Sequence, residues 1–353
     1  MKMIKMFVVI VLITFTVSCT TSRNKVVSNL TIPNDAKYFI MGADIDNDFS
    51  WSSEVKMKSH IFYFSENGEM LGKELLFNDA TLHYSSYDNG NLYISNNNQL
   101  LEISMLTGEM DTIVTIPEKN VEVLYVESKG EKLFWRYSSY DEENNGSKDS
   151  FCVLNLKQET EKTCVDFAEG TFEIFVAKES VFIWNYLGLI TEFDYNLNVV
   201  KNTSHGTDGY PIHDEDSLYI IYFDGIYDVI NEKEYNVDLS ENYYEYYVQN
   251  GELIVLEEGI YDDSNQDMNS FLQTILAYNV RNGKELRRTT LEDGYCFDLF
   301  YYGGEKYITK YDVDKVTVIP FDFSTFEKSD TKLEVEFEQE GLLTFVYGLY
   351  IIE

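Results

Sequence analysis

NLYISNNNQLLEISMLTGEMDTIVTI, residues 91–116, reads as three strands. Residues 92–95 are a short run of β-forming side chains, Asn96-Asn97-Asn98 is a polar break, and residues 100–104 are a second apolar-rich run. Thr107-Gly108 supplies a turn position that tolerates φ > 0, and residues 110–116 alternate again. The unit is strand, loop, strand, tight turn, strand. It cannot bury its own apolar face and needs copies of itself.

The copies are present. Tight turns between alternating runs recur at Glu66-Asn67-Gly68, Thr107-Gly108, Lys157-Gln158-Glu159, Tyr195-Asn196-Leu197-Asn198, Asn231-Glu232-Lys233, Arg281-Asn282-Gly283 and Ser324-Thr325-Phe326. Their spacing, roughly 35 to 51 residues, scatters around that of a four-stranded propeller blade. Most of these hairpins are preceded by a second two-strand unit, over residues 80–95, 121–136, 172–185, 212–223, 243–257 and 295–310. The expectation is an all-β chain: a β-propeller of four-stranded blades, seven in number, with six or eight as neighbouring counts. The first hairpin, residues 60–77, lacks a clear inner pair, while residues 342–352 read as a spare pair at the other end. Sewing the C-terminal strands onto the N-terminal blade closes the ring and removes its edges. Residues 37–46 do not fit this count and read as an extra strand or as part of an eighth blade.

Composition agrees with this class. Aromatic content of 15% with 28 Tyr and 23 Phe favours strands, and only 4 Pro leave little room for a Pro-rich linker. A net charge of −34, from 61 acidic against 27 basic residues, excludes a nucleic-acid partner, which needs clustered Lys and Arg. In period and strand grammar the chain resembles the superfamily of WD40, quinoprotein-like and YVTN-type propellers, and bacterial lipoproteins that carry such propellers. The resemblance spans residues 36–353 and implies a fold, not a function. No Trp-Asp or Gly-His blade signature accompanies it.

The amino terminus carries its own signal. Lys2 and Lys5 precede an apolar run over residues 6–17, closed by Ser18-Cys19. That run is too short to span a bilayer, which takes about 20 apolar residues, and it reads as a signal peptide. Thr16-Val17-Ser18-Cys19 resembles the bacterial lipobox, with Thr16 where an aliphatic residue is usual. The resemblance implies a signal peptide over residues 1–18, a lipid-bearing Cys19 with a tether over 19–35, and a propeller domain over 36–353. It also implies a cell-envelope location facing outside the cytoplasm, at the outer membrane or cell surface. Thr20 is not acidic, so the inner-membrane retention signal of some lipoproteins is absent.

Candidate chemistry is sparse. Two repeats carry about a dozen extra residues between second and third strands, 138–150 (SSYDEENNGSKDS, with Asp141 and Glu142) and 259–270 (GIYDDSNQDMNS, with Asp262 and Asp263). The interblade stretch 204–217 (SHGTDGYPIHDEDS) joins them on one face and holds His205, Asp208, His213 and Asp214, where a metal or acid/base site competes with a solvated loop. Asp44, Asp46 and Asp48 stand at every second residue, as at the opening of a calcium loop. Phe49 and Val55 occupy positions where an EF-hand needs Gly and a bidentate acid, so a looser calcium site or a plain acidic turn remains, and no other cofactor is implied. Cys152 and Cys164 lie symmetrically about Gln158 in FCVLNLKQETEKTCVDF; an odd-numbered turn sets them opposite each other as a disulfide, an even one on opposite faces. No nucleophile elbow, phosphate-binding glycine loop or paired-cysteine zinc motif is present. The expected function is a membrane-tethered module binding an extracellular protein or glycan. The alternative is a glycan-cleaving propeller enzyme of hydrolase or lyase type working through an acidic pair.

Overall fold

The computed structural model describes residues 24–25, 29–46, 57–80, 84–118, 120–141, 146–158, 162–167, 171–185, 187–205, 209–213, 217–222, 225–237, 243–257, 273–291, 295–297, 305–337 and 342–352. They form seven antiparallel sheets arranged as a seven-bladed β-propeller. In six blades the four strands follow in chain order from the inside outward. Blade 2, for example, runs Ser85–Asp88, Asn91–Asn96, Gln99–Ser104 and Met110–Thr115. Blade 3 runs Val121–Lys129, Lys132–Asp141, Gly146–Asn155 and Lys162–Phe167.

Blade 1 closes the ring. Its innermost strand is the C-terminal Leu342–Ile351, paired from Tyr38↔Ile351 to Asp46↔Leu342 with Tyr38–Asp46, which is followed outward by Met57–Phe64 and Met70–Ala80. Two expectations change here. The C-terminal stretch is one ten-residue strand, not a pair. The stretch over 37–46 is neither extra nor part of an eighth blade, but the strand that the C terminus joins. One strand from the chain end and three from its beginning make the blade.

Each blade is a sheet covered on both faces by its neighbours, and burial follows position in the blade. The second strands Asn91–Asn96 and Ser180–Asn185 are buried at four consecutive residues, which is why they read as short continuous apolar runs. The outermost strands Val199–Ser204 and Glu285–Thr290 are largely exposed, because the blades splay apart toward the rim. Seven apolar clusters fill the seven seams between consecutive blades. The seam of blades 7 and 1, with Ile40, Phe62 and Val346 against Val316, Val318 and Leu333, is as dry as the others.

Turn chemistry places the hairpins. Six of the seven tight turns read from the sequence hold a residue at positive φ: Gly68, Gly108, Leu197, Glu232, Gly283 and Phe326. In blade 3, Cys152 pairs directly with Cys164, and their sulfurs are bonded with a Cα–Cα distance of 4.1 Å. The stretch 138–150 is not an added loop: the second and third strands of blade 3 continue as a ladder through Ser138↔Asp149 to Asp141↔Gly146. At the other end of the chain, Asn24–Lys25 pairs with Asp111 and Thr112 as a fifth strand on blade 2.

Candidate functional site

Strand alternation divides the connections between two faces. First-to-second and third-to-fourth turns emerge on one, here the hairpin face; second-to-third turns and interblade connections emerge on the other, the interblade face. Asp46 and Asp141 end second strands and so reach the interblade face. His205 lies there too, its N–H donating to the Gly188 carbonyl at 2.9 Å. His213 does not. It ends Tyr210–His213, the innermost strand of blade 5, and so belongs to the hairpin face. The stretch over 204–217 is therefore divided by a strand, and its two histidines sit at opposite ends of that strand. Asp214 follows His213 in sequence and lies outside the described residues, as do Cys19, Asp48, Glu142, Asp208, Asp262 and Asp263.

The two histidines are packed against rings. His205 lies 4.4 Å from the Tyr227 ring, and burial first, then the Lys201 ammonium, hold it below the usual histidine value. It is a neutral imidazole at pH 7. His213 stacks on Phe175 at 4.6 Å, with Nε2 3.9 Å from Glu173 Oε1.

Asp44 is not a surface acid. Its Oδ1 accepts a hydrogen bond from Thr344 Oγ1 at 2.9 Å, while Oδ2 lies 2.9 Å from His60 Nε2 and 3.7 Å from Lys73 Nζ. Asp44 and His60 are each 7% exposed at the side chain. Burial pushes the carboxyl up, but His60, Thr344 and Lys73 together outweigh it and leave Asp44 below the ordinary aspartate value. Because Thr344 is on the C-terminal strand, the cluster ties the two ends of the chain at the ring closure.

The described residues converge most clearly on the hairpin face, at the seam of blades 6, 7 and 1. A cleft of about 430 Å³ opens there between Gln249, Glu305, Lys306, Asp322, Phe323, Glu327, Lys328, Tyr38 and Ile351. Lys306 Nζ sits 4.4 Å from the Tyr247 ring, which packs 5.1 Å from Phe323. Lys328 Nζ lies 5.3 Å from the Tyr295 ring. Each ammonium thus rests on an aromatic face, which orients it without removing its charge. Ser324, through its hydroxyl and N–H, and then Thr325 hold Asp322 below the usual carboxylate range, so it stays ionised. Gln249 Oε1 is buried with no hydrogen-bond partner among the described residues, an acceptor that favours an incoming N–H. Two cations, several carboxylates, an amide acceptor and an aromatic wall suit a polar, extended chain carrying both signs of charge.

Sequence reasoning looked to the long connections of the interblade face and missed this cleft. Its lining draws on three blades, and Tyr38 and Ile351 come from opposite ends of the chain.

No protein-family model matches the chain, and no curated protein does. Among solved structures it is similar to an acylaminoacyl peptidase of Pyrococcus horikoshii, at 12% identity and a TM-score of 0.54, over 81% of this chain and 52% of that one. It is similar, too, to an acylaminoacyl peptidase in complex with Z-Gly-Gly-Phe-chloromethyl ketone, at 10% identity and a TM-score of 0.54, over 79% and 49%. The chain spans about half the length of each peptidase. A looser similarity, with a TM-score of 0.41 at 12% identity, is to BamB from Moraxella catarrhalis, over 92% of this chain and 98% of that one. At these identities the likeness is one of fold alone.

Proposed function

We propose that this chain is an extracytoplasmic lipoprotein, held to the membrane through Cys19, whose propeller binds an extended segment of a partner protein. The observation that carries the binding reading is the cleft at the seam of blades 6, 7 and 1, where Lys306 and Lys328 lie on aromatic faces beside the ionised Asp322 and the Gln249 acceptor, which has no partner among the described residues. A rigid, closed ring keeps these groups in register before the partner arrives, so little ordering entropy opposes binding. The compartment is supported by the Cys152–Cys164 bond, which persists where the surroundings are oxidising. The anchor is supported by Lys2, Lys5, the short apolar run and Ser18-Cys19.

Both halves are testable. Replacing Cys19 with Ala is expected to release the protein from membranes or to stop its processing, read by fractionation and by size. A variant that stays membrane-bound at its normal size sinks the anchor. For the cleft, a photoreactive phenylalanine analogue at position 328 of the full chain in cells is expected to yield a discrete protein adduct that weakens several-fold in a Lys306→Glu background. No adduct, or the same adducts from a probe at position 201 on blade 4, removes the cleft as the binding site.

A further inference from the structure

The described residues between Cys19 and the first blade lie on the surface of the propeller. Asn24–Lys25 extends blade 2 at its outer edge. Leu30 donates its N–H to the Gly108 carbonyl at 2.8 Å and is buried in the seam of blades 1 and 2. Thr31 donates its N–H to Glu74 Oε1 at 2.8 Å, and the Pro33 ring lies beside Gly72. Gly108 permits the closest of these approaches. At φ 74°, a Cβ there would stand 1.9 Å from the Leu30 carbonyl oxygen. Only glycine lets the arm lie where it does.

Asn24 comes five residues after Cys19, and five extended steps of the chain reach no more than about 18 Å. We propose that the outer edge of blades 1 and 2, at the hairpin-face turns that carry Leu106 and Met70, is the part of the rim this protein turns toward the lipid surface. The proposal rests on the reading of Cys19 as the lipid-bearing residue. The rim itself fits the role. Leu106 is 88% exposed in the turn two residues before Gly108, and Met70 is 46% exposed two residues before Gly72, so both flank the arm. A chain of net charge −34 on a loose tether would be repelled from an anionic membrane in every orientation, and the strapped arm is what selects one.

The test uses mature, acylated protein in phosphatidylcholine vesicles containing a shallow nitroxide-labelled lipid. A bimane is attached in a Cys296→Ser background to Leu106→Cys, Met70→Cys or, on the outermost strand of blade 6, Leu286→Cys. Quenching at positions 106 and 70 is expected to exceed that at 286 by at least threefold. Equal quenching at all three, or more at 286, overturns the orientation while leaving the anchor intact. Mass spectrometry separates the two failures: a chain without acyl groups on Cys19 that does not float with the vesicles removes the anchor, and this proposal with it. Gly108→Ala should keep acylation and flotation yet lose the difference between 106 and 286. If that variant keeps the difference, the arm is not what orients the disc.

Discussion

Asp44 shows how much a single carboxylate contributes once water is excluded from it. Removing one partner of a buried ion pair leaves the other uncompensated, which costs about 3 to 5 kcal/mol. Asp44→Asn is therefore expected to lower stability by about 3 kcal/mol, read as a shifted urea midpoint at neutral pH. The pH dependence has a defined sign. The folded value lies below the 3.8 of a free aspartate, so the contribution is complete above that value and is lost as pH falls through the folded one. The difference between wild type and Asp44→Asn should hold above pH 3.8 and shrink as pH falls below it. A difference that widens in acid would contradict the ion-pair account.

In blade 3 the outermost strand, Lys162–Phe167, has a neighbour on one side only among the described residues, and half of its residues are exposed. Its hydrogen bonds are thus the first to fray, and the Cys152–Cys164 bond pins it to a strand that is itself buried. Cross-linking a loop of this size stabilises by up to about 3 kcal/mol. Reduction is expected to cost that much or less, and to raise hydrogen exchange at 162–167 before anything happens in the second strands. Thiol counting on the unfolded, unreduced mature protein is expected to give one free thiol, Cys296; three would show the bridge absent. The hairpin turns of blades 4, 5 and 7 illustrate the limit of local reading. Leu197, Glu232 and Phe326 adopt positive φ in turns whose sequences advertise polarity and spacing, not that conformation.

The ring is only as stable as its closure. Deleting the last twelve residues removes the innermost strand of blade 1, with Val346, Tyr347, Leu349 and Tyr350 all buried. At about 1.5 to 3 kcal/mol for each large side chain returned to water, the loss approaches the whole stability of a typical domain. The truncated chain is expected to be insoluble or to lose its cooperative thermal transition. A product as soluble and heat-resistant as the full chain would show that blade 1 does not depend on the C-terminal strand.

Alternation, turn residues and the repeat of the blade unit are properties of a few neighbouring residues, so the all-β class and the hairpins could be read along the chain, while the opposition of Cys152 to Cys164 waited on the register of their hairpin. The continuous apolar runs of the second strands were legible for the same reason, since a strand buried on both faces has no polar side to show. Ring closure by the C-terminal stretch was legible from the mismatched ends, but its partner strand over residues 37–46 was not, and neither was the site. Asp44 meets Thr344 across 300 residues, and Lys37 Nζ reaches the Ile352 carbonyl across 315, so no local pattern marks that aspartate as buried or shows that residues 37–46 are the strand the C terminus joins. The cleft gathers side chains from three blades, and the arm settles on blade 2 because a glycine in a distant turn makes room for it. Such contacts exist only once the ring has brought its two ends together, and there the tertiary structure alone decides.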